Sequence, residues 1–76
     1  MANTKLTEKE VRSRFGEKVK EARLKINLSQ EKLAFEIGMD LTSVNEIERG
    51  HRNPKLNTVF KLSKALKVPS SQLLPF

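Results

Sequence analysis

QEKLAFEIGMDLTSVNEIERG, residues 30–50, is the stretch that decides the fold. It carries small, flexible and β-branched residues at the intervals needed for two short helices to cross at a tight corner. Ala34 is small where the two helices would touch. Gly38 supplies a corner with φ > 0 that other residues resist. Asp40 stands where the second helix needs an N-cap and can accept hydrogen bonds from its first free N–H groups. Val44 and Ile47, three apart, face inward from that helix. With Gln30 opening the unit, these residues in one frame predict a rigid pair of crossed helices.

Upstream, Thr7 and Glu10 form a T-x-x-E capping box, and Leu6 and Val11 stand at the N′ and N4 positions of a hydrophobic staple. A helix is therefore predicted from Thr7 to about Lys25, with residues 1–6 ahead of it as a loose tail. Val11, Phe15, Val19, Ala22 and Ile26 draw one apolar stripe along it, read as core. Gly16 interrupts that helix, and marks either close approach of a neighbour or an exposed, tolerated glycine. Asn27 can close it in the left-handed conformation. Leu28, Ser29 and Leu33, then Met39, Asp40 and Val44, repeat the staple-and-cap pattern for the second and third helices, and Gly50 ends the third.

Downstream, Pro54 discourages helix at Asn53, and Asn57 is the expected cap of a fourth helix with Val59, Leu62 and Leu66 inward and Phe60 and Ala65 beside them. Pro69 begins a last short turn through Leu74, and Pro75 stops it. Phe35 is expected to pack in the core against the first helix. There is no strand candidate and no internal repeat. The reading is all-α: one compact five-helix bundle spanning residues 1–76 as a single domain.

A chain of 76 residues hides only about 60% of its unfolded surface, which leaves a narrow stability margin that dimerisation would widen. With no cysteine and a single histidine, neither a disulfide framework nor a metal cluster is expected. No run approaches the roughly 18 apolar residues of a membrane span, and the polar start MANTKLTEKE does not suit a signal peptide. A cytoplasmic protein without metal or cofactor is the expectation.

The charge of +6 is unevenly spread. All nine acidic residues lie at or before Glu48, matched there by nine basic ones. Residues 49–76 hold Arg49, Arg52, Lys55, Lys61, Lys64 and Lys67 against no carboxylate, which favours a polyanionic partner. Lys61, Lys64 and Lys67 read as solvated helix surface, whereas Arg52 and Lys55 sit next to the crossed helices and suit phosphate.

Catalysis finds no support. His51 lies in a polar loop beside Arg52 with no carboxylate partner in view, and the chain has neither GxGxxG nor GK[ST]. Helix-surface carboxylates such as Glu17 and Glu21, interleaved with Lys18 and Lys25, read as solvated ion pairs and would repel anionic lipid.

What remains is the outer side of the third helix. Thr42, Asn45, Glu46 and Arg49 lie opposite Val44 and Ile47, with Leu41 and Ser43 at its first turn. Asn45 can bond adenine bidentately, Thr42 and Ser43 can donate or accept, Glu46 can accept from cytosine N4, and Leu41 can touch a thymine methyl. Glu46 is also an i,i+3 partner for Arg49. Phosphate is expected at Ser29 and Gln30, where a helix begins with free N–H groups, and at Arg49, Arg52, Asn53 and Lys55.

From about Phe15 to Leu74 the chain resembles the Cro/repressor-type helix-turn-helix family of bacterial and phage regulators, the lambda-repressor-like fold. FGEKVKEARLKINLSQEKLAFEIG opens as those domains do, IERGHRNP closes the motif and LSKALKVPSSQLL is similar to their tail. The resemblance implies a two-fold dimer on a pseudo-palindromic operator in double-stranded DNA, third helix in the major groove. It further implies a structural ion pair between Arg23 and Glu48. Within the family, LAFEIGMDLTSV and ERGHRN resemble controller proteins of restriction-modification systems. Such a regulator represses by blocking RNA polymerase or activates by touching it. Leu73, Leu74 and Phe76 are the expected dimer surface. An antitoxin-like autoregulator and a protein-interaction adaptor that kept the bundle without reading DNA stay open as alternatives.

Overall fold

The computed structural model describes residues 5–76, so most of the tail expected over residues 1–6 lies outside the described residues. Helix α1 (Glu8–Lys25) starts on its capping box: Thr7 Oγ1 accepts from the Glu10 N–H at 3.1 Å, and Glu10 Oε1 accepts from the Thr7 N–H at 3.1 Å. Helix α2 (Gln30–Ile37) starts behind Ser29, whose hydroxyl accepts from the Lys32 N–H at 3.0 Å. Helix α3 (Leu41–Glu48) starts behind Asp40, whose carboxylate accepts from the Ser43 N–H at 2.7 Å. Each cap satisfies an N–H that the helix itself cannot.

Helix α4 (Leu56–Leu66) departs from the expected cap. Asn57 lies inside its first turn, and Lys55 takes the extended cap position with no side-chain hydrogen bond. Proline restrains the residue before it, Asn53, but not the one after, so the chain turns helical sooner than Asn57.

All four helices end by one device. A left-handed residue follows each, at Asn27 (φ 54°), Gly38 (69°), Gly50 (77°) and Lys67 (60°). The next N–H then reaches back to a free carbonyl: Leu28 to Arg23, Met39 to Ala34, His51 to Glu46 and Val68 to Ser63, at 2.8–3.1 Å. Lys67 does this without glycine or asparagine to ease it.

The expected fifth helix is only a 3₁₀ turn, Ser70–Gln72. Pro69 and Pro75 leave room for about one turn, which is too short to nucleate an α-helix. Among the described residues the fold is thus four α-helices and one 3₁₀ turn, with no strand.

The core joins Phe15 and Val19 of α1, Leu33, Ala34 and Ile37 of α2, Val44 and Ile47 of α3, Leu62 and Leu66 of α4, and Leu73 of the terminal turn. Helix α3 packs on α1 and α2, α4 packs on the same two, and the turn packs on α4. Gly16 makes the α1–α3 contact possible: a Cβ there would lie 2.6 Å from the Glu48 carbonyl oxygen and would also strike that of Ile47. It marks close approach.

Four apolar side chains sit elsewhere than expected. Leu73, expected at a dimer surface, is wholly buried in the core, while Leu74 is half-buried and Phe76 exposed. Phe35, expected in the core, is 78% exposed, with the Lys32 ammonium 5.4 Å from its ring centre. It lies about 200° around α2 from Leu33, so burying Leu33 turns it outward. Ile26 caps α1 beyond its last turn and leaves the apolar stripe for solvent. Phe60 is likewise exposed and carries the Lys64 ammonium over its ring.

Candidate nucleic-acid interface

Helix α3 divides sharply into two sides. Val44 and Ile47 are buried, and so is Ser43, which corrects its place among the outward-facing residues. Ser43 precedes Ile47 by four residues and therefore shares its face. There it serves the Asp40 cap rather than solvent. Leu41, Thr42 and Arg49 are exposed, and Asn45 and Glu46 are half-buried.

A chain of polar contacts fixes the inner seam. Arg23 Nε donates to Glu48 Oε2 at 2.7 Å and its Nη2 to Oε1 at 3.1 Å, both groups being almost fully buried. Arg23 Nη1 also donates to the Leu28 carbonyl at 2.8 Å, so one guanidinium ties α1, the α1–α2 loop and α3 together. Gln30 Nε2 donates to Glu48 Oε1 at 2.9 Å, and Asn45 Nδ2 donates to Gln30 Oε1 at 3.4 Å. Among the described residues no buried side-chain nitrogen or oxygen is left without a partner. Gln30, read from sequence as a phosphate ligand, is thus tied to the ion pair in the free protein. Asn45 stands at the outer end of the same chain, where its amide is oriented by Gln30.

The rim is arranged differently. Glu46 pairs with Arg52, Nε to Oε1 at 3.0 Å, and not with Arg49 as the i,i+3 spacing had suggested. Arg49 forms the C-terminal cap of α3 and stays exposed. Arg52, Asn53 and Lys55 follow in an exposed segment, with Pro54 half-buried between them, and Ser29 is exposed at the start of α2. The Glu46–Arg52 and Gln30–Glu48 contacts had no local signal in the sequence, because each depends on the path taken between helices.

Asp40 sits beside this rim. Ser43 holds its carboxyl below the ordinary value, first through its side chain and then through its backbone N–H, and the Arg52 charge adds to the effect. The outer face of α1 forms its own ion pair, Glu10 to Arg14 at 4.0 Å, and Glu17 and Glu21 are exposed there. Among the described residues no helix is long and apolar enough to cross a membrane, and no group of His, Cys, Asp or Glu is placed to hold a metal.

The arrangement is a short helix locked on one side and open on the other, with cations just beyond its end. The family model for helix-turn-helix proteins matches residues 19–73. Control protein C.BamHI of Bacillus amyloliquefaciens is 51% identical over 67 residues, covering 87% of this chain and 83% of that protein. Control protein C.MunI of a Mycoplasma species is 40% identical over 65 residues, covering 84% of this chain and 88% of its own. Among solved structures, the restriction-modification controller protein C.AhdI from Aeromonas hydrophila superposes with a TM-score of 0.78 at 40% identity, over 82% of this chain and 94% of that one.

Proposed function

The chain belongs to the helix-turn-helix family, and from that premise we propose that it is a sequence-specific DNA-binding transcription regulator that controls restriction-modification genes. It binds a pseudo-palindromic operator as a homodimer, with α3 in the major groove. Thr42, Asn45 and Leu41 meet base edges. The free N–H groups at the start of α2 and the side chains of Arg49, Arg52, Asn53 and Lys55 meet phosphate. The observation that carries this reading is the two-sided build of α3. A helix fixed by Gly16 packing and the Arg23–Glu48 pair presents Thr42 outward, and a carboxylate-free segment follows it. The similarity to two control proteins over more than four fifths of the chain supports the restriction-modification role.

Leu74 and Phe76 remain at the surface for a second copy. The regulator, bacterial or phage-encoded, acts in the cytoplasm at the nucleoid and blocks or recruits RNA polymerase from its site. Selection of bound sequences from a random pool tests this directly. A symmetric consensus is expected, with binding that survives excess random DNA at moderate salt and weakens as salt rises. A protein-interaction adaptor would instead yield no consensus and only weak, non-selective retention.

A further inference from the structure

We propose that Glu46 is a positioning residue for Arg52, a counter-ion that restrains this arginine on the flank of α3 and so weakens its sequence-independent contact with DNA phosphate. This rests on the DNA-reading role of α3 given above. The turn that ends α3 creates the contact. The left-handed Gly50 and the His51 N–H bonded to the Glu46 carbonyl fold the chain back, which brings Arg52 beside the Glu46 side chain. Among the described residues only Nε of the guanidinium is engaged, at 3.0 Å, so its two terminal amino groups are left to donate to a phosphate.

The pair is half exposed, at 44% and 40%, where an ion pair is weak and phosphate competes readily. Glu48, the other carboxylate on α3, is committed to Arg23 and Gln30, which leaves Glu46 as the acidic group of this helix that an approaching backbone meets. On random DNA the Arg52–phosphate contact forms against that like charge.

Titration of random-sequence duplex and of the selected operator with wild type, Glu46→Gln, Arg52→Gln and the double variant tests this. Glutamine keeps the size and an acceptor oxygen while removing the charge. Glu46→Gln is expected to tighten random-duplex binding about threefold, the scale of one phosphate contact, and to steepen the log–log salt slope by about 0.9. Operator binding is expected to tighten by a similar factor, leaving the operator-to-random ratio unchanged. In the Arg52→Gln background, Glu46→Gln is expected to change neither affinity nor slope. Equal tightening with Arg52 absent would overturn the proposal in favour of a general charge effect. Lost preference at one base pair with unchanged random-duplex affinity would overturn it in favour of direct base reading. The random-duplex arm needs no operator, so failure to select a consensus would sink the reading of α3 while leaving the Glu46–Arg52 coupling measurable.

Discussion

Glu46 and Glu48 stand two residues apart on α3, and each pairs with one arginine, yet they do opposite work. Glu48 faces the α1–α3 seam, where Arg23 grips it with two hydrogen bonds and Gln30 adds a third. Glu46 faces the rim, where a single bond to Arg52 is open to water. A rotation of about 200° along one helix separates a group that fixes the fold from one that adjusts how the surface meets a polyanion. Burial sets the difference. A desolvated charge cannot lose its partner cheaply, whereas an exposed one exchanges partners at little cost.

The strongest way to break this comparison is to truncate both carboxylates. Glu48→Ala leaves the Arg23 guanidinium buried without its counter-ion and should cost about 3–5 kcal/mol. That is a large share of the roughly 5–15 kcal/mol that holds a small domain together. Glu46→Ala should cost about 0–1 kcal/mol. Urea unfolding followed by far-UV circular dichroism reads both, and similar midpoints for the two variants would refute the division of α3 into a structural and an adjustable side.

The glycines flanking α3 sharpen the same contrast at the backbone. Gly38 and Gly50 are both left-handed, but a Cβ on Gly38 would meet nothing within 4 Å, whereas one on Gly50 would lie 2.7 Å from the Ser13 Cα. Gly38→Ala should therefore cost only the conformational strain, about 1–2 kcal/mol. Gly50→Ala should cost that and about 1–3 kcal/mol more, because α1 must yield. Thermal melts of the two variants give the order, and a greater loss from Gly38→Ala would show that the α2–α3 corner, not the α1–α3 seam, is the less tolerant joint.

What could be read from the sequence follows the range of the forces involved. The starts of α1, α2 and α3 were legible at Thr7, Ser29 and Asp40, and the left-handed ends at Asn27, Gly38 and Gly50, because capping is settled within a few residues. Lys67 and the Lys55 start of α4 were not, since neither has a side chain suited to its position. Ser43 and Phe35 were misplaced because residue type was weighed over helical angle: Ser43 is polar yet shares the face of Ile47, and Phe35 is apolar yet lies about 200° from Leu33. Leu73 looked like surface beside Leu74 and Phe76, yet the 3₁₀ turn points it into the core. Arg23 and Glu48 lie 25 residues apart, so only the family resemblance pointed to their pairing. The Glu46–Arg52 contact required the path of the turn at Gly50, which spacing along α3 does not encode.

A third carboxylate, Asp40, gives the finest test, because it is even more exposed than the half-buried Glu46 but contributes to structure like Glu48. Its carboxyl is held below the ordinary 3.8 by Ser43, through the side chain first and the backbone N–H second. In the unfolded chain the group returns to its ordinary value. Between the two values the unfolded state binds more protons, so stability is fully present above the ordinary value and is lost as pH falls through the lowered one. Glu10 is likewise lowered by its Thr7 cap, through the backbone N–H first and the side chain second. Asp40→Asn caps nearly as well near neutral pH but does not titrate. The variant should therefore melt close to wild type near neutrality and lose less melting temperature on acidification below about pH 4, with the residual slope including that of Glu10. Parallel melting curves for the two proteins across that acid range would mean that Ser43 stabilises the protonated and ionised caps equally, and exposure alone would then separate Asp40 from Glu48.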